Sequence, residues 1–338
     1  MLKRWGIVGY GWVARDYMVP AIQAAGGQLV AVADPKLPHD LPGIAGAATP
    51  FANVEDLLNG SACDMIYVAT PNNAHAEAVC QIAARRIPVL CEKPLAATLH
   101  DAERMAAHID STGTLYGTAF DQRHHPAHQA MRAAIRTGAI GEPIAIRIVY
   151  ACWLDPDWNP TGQPAHEAPK NWRIDRRIAG GGAVIDLAPH GLDLAQYLID
   201  QPITDLTIML QHRIHGYDVD DGGMLMAHTP NDVLISLHVA YNCKDSLPRR
   251  RLEVMGATGM ITAIDTMGQA AGGTLTHICG RTGHMAPIPF DEAVSPFVNQ
   301  VMAFSAAASG HPHDFSMSRD IALTRQLDAA YRKAQSCR

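Results

Sequence analysis

Along the first third of the chain, short apolar runs alternate with longer amphipathic stretches. Trp5–Val8 stops at Gly9, Leu29–Ala33 ends in Asp34, and Met65–Ala69 runs into Thr70-Pro71-Asn72-Asn73. Pro88–Cys91 and Leu115–Ala119 complete the set. Apolar runs without alternation predict strands buried on both faces, the habit of a parallel sheet. Between them lie helical patterns. Val13–Ala25 reads as a helix kinked at Pro20 and ended by Gly26-Gly27. Asn53 stands where a side chain caps the next helix, another runs through Arg86, and Thr98-Leu99-His100-Asp101 resembles a capping box. Strict alternation of strand and helix predicts a doubly wound α/β domain over residues 1–120.

After residue 120 the pattern changes. One helix, Pro126–Thr137, leads to a long strand, Ile144–Trp153. Asp205–His212, Met224–His228, Val233–Tyr241, Arg251–Met255, Met260–Ile264 and Thr274–Ile278 read as strands of an antiparallel sheet. Polar residues at alternate positions, as in Leu234-Ile235-Ser236-Leu237-His238-Val239, predict that one face is wetter than the other. Helices at Pro296–Ser309 and Met317–Lys333 close the chain, so residues 121–338 read as a second, α+β domain.

Composition narrows the class. A length of 338 residues suits two domains, and 48 % hydrophobic against 18 % charged residues excludes a disordered chain. The 27 basic residues are outnumbered by 33 acidic ones and gather nowhere beyond Arg249-Arg250-Arg251, which argues against nucleic acid as a partner. No stretch approaches the roughly 18 uncharged apolar residues of a membrane span, and Met1–Trp5 enters a strand pattern with no apolar leader. Scattered cysteines (63, 80, 91, 152, 243, 279 and 337) without Cys-x-x-Cys predict reduced thiols in a cytoplasmic protein.

The chemistry begins at Gly9-Tyr10-Gly11-Trp12-Val13-Ala14, a G-x-G-x-x-G/A loop between a strand and a helix, with an acid closing the next strand. The first glycine permits a tight turn, the second lets a pyrophosphate approach the backbone, and Ala14 allows close helix–strand packing. Asp34 can accept hydrogen bonds from both adenosine ribose hydroxyls and would repel a 2′-phosphate, so NAD is favoured over NADP. Lys36 softens that exclusion, and a plain turn role before Pro35 is the alternative for Asp34. Glu92-Lys93-Pro94 follows the fourth strand, where ligands bind in open α/β sheets; a lysine there can stabilise alkoxide character, or simply lie on the surface. Gly180–His190 sets Asp186 and His190 four residues apart, on one face of a helix beginning near Asp186, with Asp193 near the same face. A carboxylate beside an imidazole can orient the ring for proton transfer. A capping Asp with a packed His is the competing reading.

Trp153 to Arg177 is long and rich in proline, as lids and binding loops are. Trp153, Trp158 and Trp172 offer flat faces to the C–H side of a sugar, and Asp155, Arg123 and Arg173 can reach its hydroxyls. The same tryptophans can instead cement domains or subunits. His124/His128, His311-Pro312-His313-Asp314 and His166-Glu167 each lack a full ligand set, so no metal site is expected.

Taken together, Gly9–Ala14, Thr70-Pro71-Asn72 with His75, Cys91-Glu92-Lys93-Pro94, Trp172-Arg173 and Gly180–His190 with Asp193 resemble the Gfo/Idh/MocA family of sugar and polyol oxidoreductases. The resemblance implies a Rossmann domain followed by a domain with an open sheet whose face often builds dimers or tetramers. It places catalytic roles on Lys93, Asp186 and His190, with Lys93 also at the cofactor. Cofactor contacts fall on the loop Gly9, Tyr10, Gly11, Trp12 and Val13, on Asp34, on Thr70, Pro71, Asn72 and His75, and on Glu92. It also favours a cis bond between Lys93 and Pro94. Ala188 stands where the family most often has glycine. Residues 124–148 look like the 1,5-anhydrofructose reductases of the family; those favour NADPH and lack an acid matching Asp34, so their substrate is not carried over. The expectation is an NAD-dependent oxidoreductase acting on a CH–OH carbon of a small sugar-like molecule, as a homodimer or homotetramer. Two alternatives stay open: a glycosidase that works by transient oxidation, and a non-catalytic NAD- or sugar-responsive regulator.

Overall fold

The computed structural model describes residues 2–37, 48–158 and 171–337. The described chain divides into two compact units, one of residues 2–37, 48–119 and 297–322, the other of residues 120–158, 171–296 and 323–337.

In the first unit, β1 (Lys3–Val8) leads into a π-helical turn (Ala14–Met18) and α1 (Val19–Ala24). The expected kink at Pro20 takes this form because Pro20 has no N–H to give; Val19 N reaches back to Ala14 O, and Pro20 sits within the first turn of α1. There follow β2 (Gly27–Ala33), β3 (Thr49–Phe51), α2 (Val54–Gly60), β4 (Met65–Val68), α3 (His75–Ala84), β5 (Val89–Cys91), α4 (Leu99–Thr112) and β6 (Tyr116–Thr118). Asn53 Oδ1 accepts from Asp56 N at 2.9 Å and Thr98 Oγ1 from Asp101 N at 3.1 Å, so both expected caps form. The six strands lie in the order β3-β2-β1-β4-β5-β6, all parallel. The order reverses between β1 and β4, and at such a switch point the loops after the strands diverge and leave a crevice.

In the second unit come α5 (Pro126–Arg136), β7 (Pro143–Ala151), α6 (Arg176–Ala179), α7 (Ala183–Ile199), β8 (Thr204–Gln211), β9 (Gly222–His228), β10 (Leu234–Ala240), β11 (Arg250–Gly256), β12 (Gly259–Ile264), β13 (Thr274–Cys279) and β14 (Met285–Pro287). They form an eight-stranded sheet, β14-β13-β12-β11-β7-β10-β9-β8, antiparallel except where β10 runs beside β7. The alternation in β10 sorts as expected. Ile235, Leu237 and Val239 are buried with Val184, Leu187 and Leu192 of α7 in one core, while Leu234 is exposed.

The chain passes from the first unit to the second after Ala119, and the closing helices α8 (Pro296–Ala307) and α9 (Met317–Ser336) do not both follow the second unit. Phe297, Val301 and Phe304 bury with Trp5, Met18 and Met65 in the first unit, and the chain leaves that unit within α9, after Ala322. Apolar periodicity marks those helices without naming the core they enter. Among the described residues no helix is long and apolar enough to cross a membrane.

Candidate active site

Within the first unit, three loops leave the same edge of the sheet in register. Gly9 N donates to Ala33 O, Ala69 N to Val8 O and Glu92 N to Val68 O, each at 2.8 Å, extending the ladders of β1, β4 and β5 into the loops. Gly9 has φ +87°, and a Cβ there would lie 2.6 Å from the Ala69 carbonyl carbon and from Thr70 N, so only glycine fits. Gly11 faces the other way: a Cβ there would meet nothing within 4 Å. The glycine loop therefore has a tight side against Thr70 and an open side, and Trp12, Val13 and Ala14 follow in the first helical turn. First-turn amides have no acceptor within a helix, and an anion suits them.

Asp34 closes the loop from β2. Its Oδ2 accepts from Tyr10 N and its Oδ1 from Lys36 N, both at 2.8 Å, and each oxygen retains further acceptor capacity for a ribose hydroxyl. An open glycine, a helix start and a carboxylate at the end of β2 fit a dinucleotide.

Asn72 is buried beside the exposed Pro71. His75, expected at the cofactor, is only 1 % exposed and acts from behind: Nδ1 lies 2.9 Å from Pro94 O and Nε2 2.9 Å from Thr70 O. Burial, opposed by these carbonyls and aided by the Lys93 charge, lowers its pKa to about 4. A neutral ring thus braces the Thr70 loop against the Lys93-Pro94 turn, whose peptide bond is cis. Tyr67 Oη donates to Glu92 Oε1 at 2.5 Å, and the half-buried Lys93 comes next.

Within the second unit the site is built on α7. The helix begins at Ala183, earlier than Asp186, because Asp220 caps it: Gly182 N and Val184 N donate to its carboxylate at 3.0 and 2.8 Å. Tyr331 Oη donates to the same carboxylate. A Cβ on Gly182 would lie 1.9 Å from Asp220 O, which explains that glycine. Burial pushes the Asp220 carboxyl up, and these three donors oppose the shift.

One turn into α7, Asp186 Oδ2 accepts from Tyr241 Oη at 2.7 Å. His190 is 5 % exposed, and its Nδ1 lies 3.2 Å from Asp121 Oδ1, in a 3₁₀ turn (Asp121–His124). The pairing expected between Asp186 and His190 is thus divided between two partners, Tyr241 and Asp121, that no motif marked. Tyr150 packs edge-on to His190, ring centroids 5.7 Å apart.

Arg123, expected to reach sugar hydroxyls, is instead 7 % exposed and gives Nε and Nη2 to Asp193, both at 2.6 Å. Its fork is committed to bracing α7. Arg173 lies over the rings of Trp172 (4.5 Å) and Trp158 (5.0 Å), and its charge lowers the Tyr241 phenol and Cys152 thiol pKa values against a larger rise from burial. Trp153 carries the Lys244 ammonium 3.3 Å from its ring centroid and meets His215 at its edge. These rings stack on cations of their own chain. Asp155 is exposed and accepts from Asp157 N at 3.0 Å. Among the described residues no group of three or more His, Cys, Asp or Glu could hold a metal ion; His166-Glu167 lies outside them.

Two family models match the chain: an oxidoreductase family with an NAD-binding Rossmann fold over residues 3–120, and the GFO/IDH/MocA C-terminal domain over residues 128–262. A 1,5-anhydro-D-fructose reductase of Ensifer adhaerens is 30 % identical over 322 residues, 94 % of this chain and 92 % of that one. Among solved structures, an aldose-aldose oxidoreductase from Caulobacter crescentus complexed with glycerol superimposes with TM-score 0.84 at 21 % identity, covering 100 % of this chain and 99 % of that one. A levoglucosan dehydrogenase in complex with NADH and levoglucosan gives TM-score 0.83 at 20 % identity, over 99 % and 98 %. At that identity the two structures speak for the fold.

Proposed function

This chain belongs to the Gfo/Idh/MocA family of oxidoreductases, and from that premise we propose that it moves a hydride between NAD and a CH–OH carbon of a sugar, cyclic polyol or sugar derivative. NAD, when bound, supplies the nicotinamide ring that takes or returns the hydride. Gly9–Val13 receive the pyrophosphate, Asp34 the adenosine ribose, and Thr70–Asn72 with Glu92 the nicotinamide end. In the oxidising direction His190 takes the hydroxyl proton. Lys93 donates to the same oxygen and stabilises its developing charge. Asp186, held by Tyr241, accepts from a neighbouring substrate hydroxyl.

One observation carries the reading. Asp186 and His190 stand one turn apart on α7, Asp186 held by a hydrogen bond from Tyr241 and the buried His190 facing the Asp121 carboxylate. A regulator that only sensed NAD or sugar would have no use for a buried, oriented base. A carboxylate at Asp34 disfavours a 2′-phosphate, which is the support for NAD over NADP. The outer face of the second sheet carries exposed methionines, Met209 at 73 % and Met226 at 64 %, and is read as the face that joins copies into a homodimer or homotetramer.

The test is a panel of D-glucose, D-xylose, myo-inositol and levoglucosan with NAD, and 1,5-anhydro-D-fructose with NADH, read by NADH absorbance and product analysis. NADH accumulating in step with a keto or lactone product is expected. Cleavage of a glycoside in heavy water with catalytic NAD, giving deuterated free sugar and no NADH, would establish the glycosidase alternative instead.

A further inference from the structure

Asp121 belongs to no recognisable motif, yet it is the carboxylate that meets His190. It is 3 % exposed, and its Oδ1 lies 3.2 Å from His190 Nδ1, at ion-pair distance, though the ring N–H is not aligned on it as a hydrogen bond in this structure. Its other oxygen, Oδ2, accepts from Gln122 Nε2 at 2.8 Å. Gln122 is itself tied to the backbone of Gly268, giving Nε2 to Gly268 O at 3.1 Å and accepting from Gly268 N at 3.4 Å. The carboxylate is therefore held from the side away from the imidazole. The imidazole is packed edge-on by Tyr150, ring centroids 5.7 Å apart.

We propose that Asp121 is the positioning residue for His190: it accepts the Nδ1–H, fixes that tautomer, and leaves the Nε2 lone pair for the substrate hydroxyl. The inference rests on the reading of His190 as the base. A neutral imidazole carries one N–H and one lone pair, and the partner of one nitrogen decides which is which. A carboxylate can only accept, so it places the proton on the nitrogen facing it. When the substrate O–H bond breaks and its proton passes to Nε2, the resulting imidazolium stands beside an anion already in place. The Ser-His-Asp triad divides the labour between a buried acid and a histidine in the same way, and replacing the acid by its amide there costs about 10⁴-fold in turnover through the wrong tautomer.

The charged and titratable groups around the pair come from several elements: Asp186 on α7, Arg250 on β11, Tyr150 on β7, and His125 and His128 at α5. Burial lowers both of those histidines and raises Tyr150, so the three are uncharged near neutral pH. The Asp121 charge raises all three, so Asp121→Asn moves both histidines further toward neutral, while burial, the larger cause, keeps Tyr150 raised.

The experiment compares wild type, Asp121→Asn and His190→Asn, each labelled with ¹⁵N-histidine and bound to NADH. The His190 signals are assigned by their loss in His190→Asn. Turnover is measured on levoglucosan and D-xylose with NAD. The expected result is an Nδ1–H, Nε2-lone-pair signature for His190 in wild type. In Asp121→Asn that signature is lost and kcat falls by at least about 10²-fold, with KM within about threefold. A wild-type His190 carrying its proton on Nε2 overturns the proposal, and that spectrum decides even if Asp121→Asn does not fold. Asp121→Asn turning over like wild type while His190→Asn is inactive overturns it too. Wild-type turnover in His190→Asn removes the reading of His190 as base, a distinct failure.

Discussion

Tyr241 Oη donates to Asp186 Oδ2 at 2.7 Å, joining the end of β10 to the first turn of α7. Burial and the Asp186 charge push the Tyr241 phenol well up, so it remains a donor at any ordinary pH. A buried hydroxyl that cannot ionise is a fixed tether for a half-buried carboxylate.

Tyr241→Phe removes that tether and little volume. Hydrogen bonds to charged groups are worth about 1.5–3 kcal/mol, and leaving Asp186 to rotate should lower kcat by about tenfold with NADH affinity unchanged. Steady-state kinetics beside an NADH titration check it. Turnover within about twofold of wild type would mean that the orientation of Asp186 does not matter to the reaction.

Lys93 follows β5 in a turn braced by His75. Lys93→Met keeps the length of the side chain and removes its charge and donors. Turnover should fall by at least about 10²-fold while NADH binding, read by fluorescence, stays nearly intact. If turnover drops less than about threefold, Lys93 is a surface lysine after all.

Acid should unfold the protein through buried histidines. His75 and His128 are held neutral, with pKa values lowered by burial to about 4 and about 3. An unfolded histidine titrates near 6.5, so their contribution is complete above that pH. It is lost as pH falls toward the folded values, because the unfolded chain takes up protons that the native chain refuses. The slope is about 1.4 kcal/mol per pH unit for each histidine. His125 and His238, also lowered, act in the same direction, while the raised carboxyl of Asp220 works against them. Urea unfolding at a series of pH values between about 7.5 and 5 should show stability falling toward acid. His128→Gln should reduce the slope below pH 6.5 by about one proton. A flat profile in wild type would contradict the assignment.

The apolar outer face of the second sheet makes a separate prediction. Met209 and Met224 are opposed across β8 and β9, and Met226 lies two residues along the same face. Charges there should be harmless to a monomer and costly to a joined pair of sheets. Met209→Lys with Met226→Lys should halve the mass, or more, by sedimentation equilibrium. An unchanged mass places the interface elsewhere or shows that there is none.

Much of this is legible in the sequence alone. The strands of the first unit are continuous apolar runs, and those of the second alternate, so β1, β2, β4 and β10 announce themselves. The glycine loop was legible because Gly9 has no room for a side chain and Gly11 has nothing but room. β3 and β14 were not, being three residues each and containing Pro50 and Pro287. Asp121 and Tyr241 were invisible for another reason: each completes the α7 site from an element far away in sequence, and a pattern along the chain holds no record of what folds against it. Arg123 misled because an arginine near a site looks available until its buried partner, Asp193, is seen.

The choice of dinucleotide can be turned by two substitutions. Asp34 ties the glycine loop through Tyr10 N, and on the proposed reading it also sets a negative charge where a 2′-phosphate would lie. Asp34→Ser removes the charge while keeping an oxygen that can accept from the Tyr10 amide, so the loop is not left without an acceptor. Lys36 is exposed two residues on, and its amide donates to the Asp34 carboxylate. Lys36→Arg adds a planar fork that grips phosphate better than an ammonium does. The double variant should raise the ratio of kcat/KM for NADP over NAD by at least tenfold, about 1.4 kcal/mol of differential binding. Asp34→Ser alone should give part of that gain by weakening NAD. Measuring both coenzymes with the same sugar separates a shift in preference from a general loss. Wild type already working better with NADPH than with NADH would show that the Asp34 carboxylate does not govern the choice, and the loop contact to Tyr10 would then be its whole role.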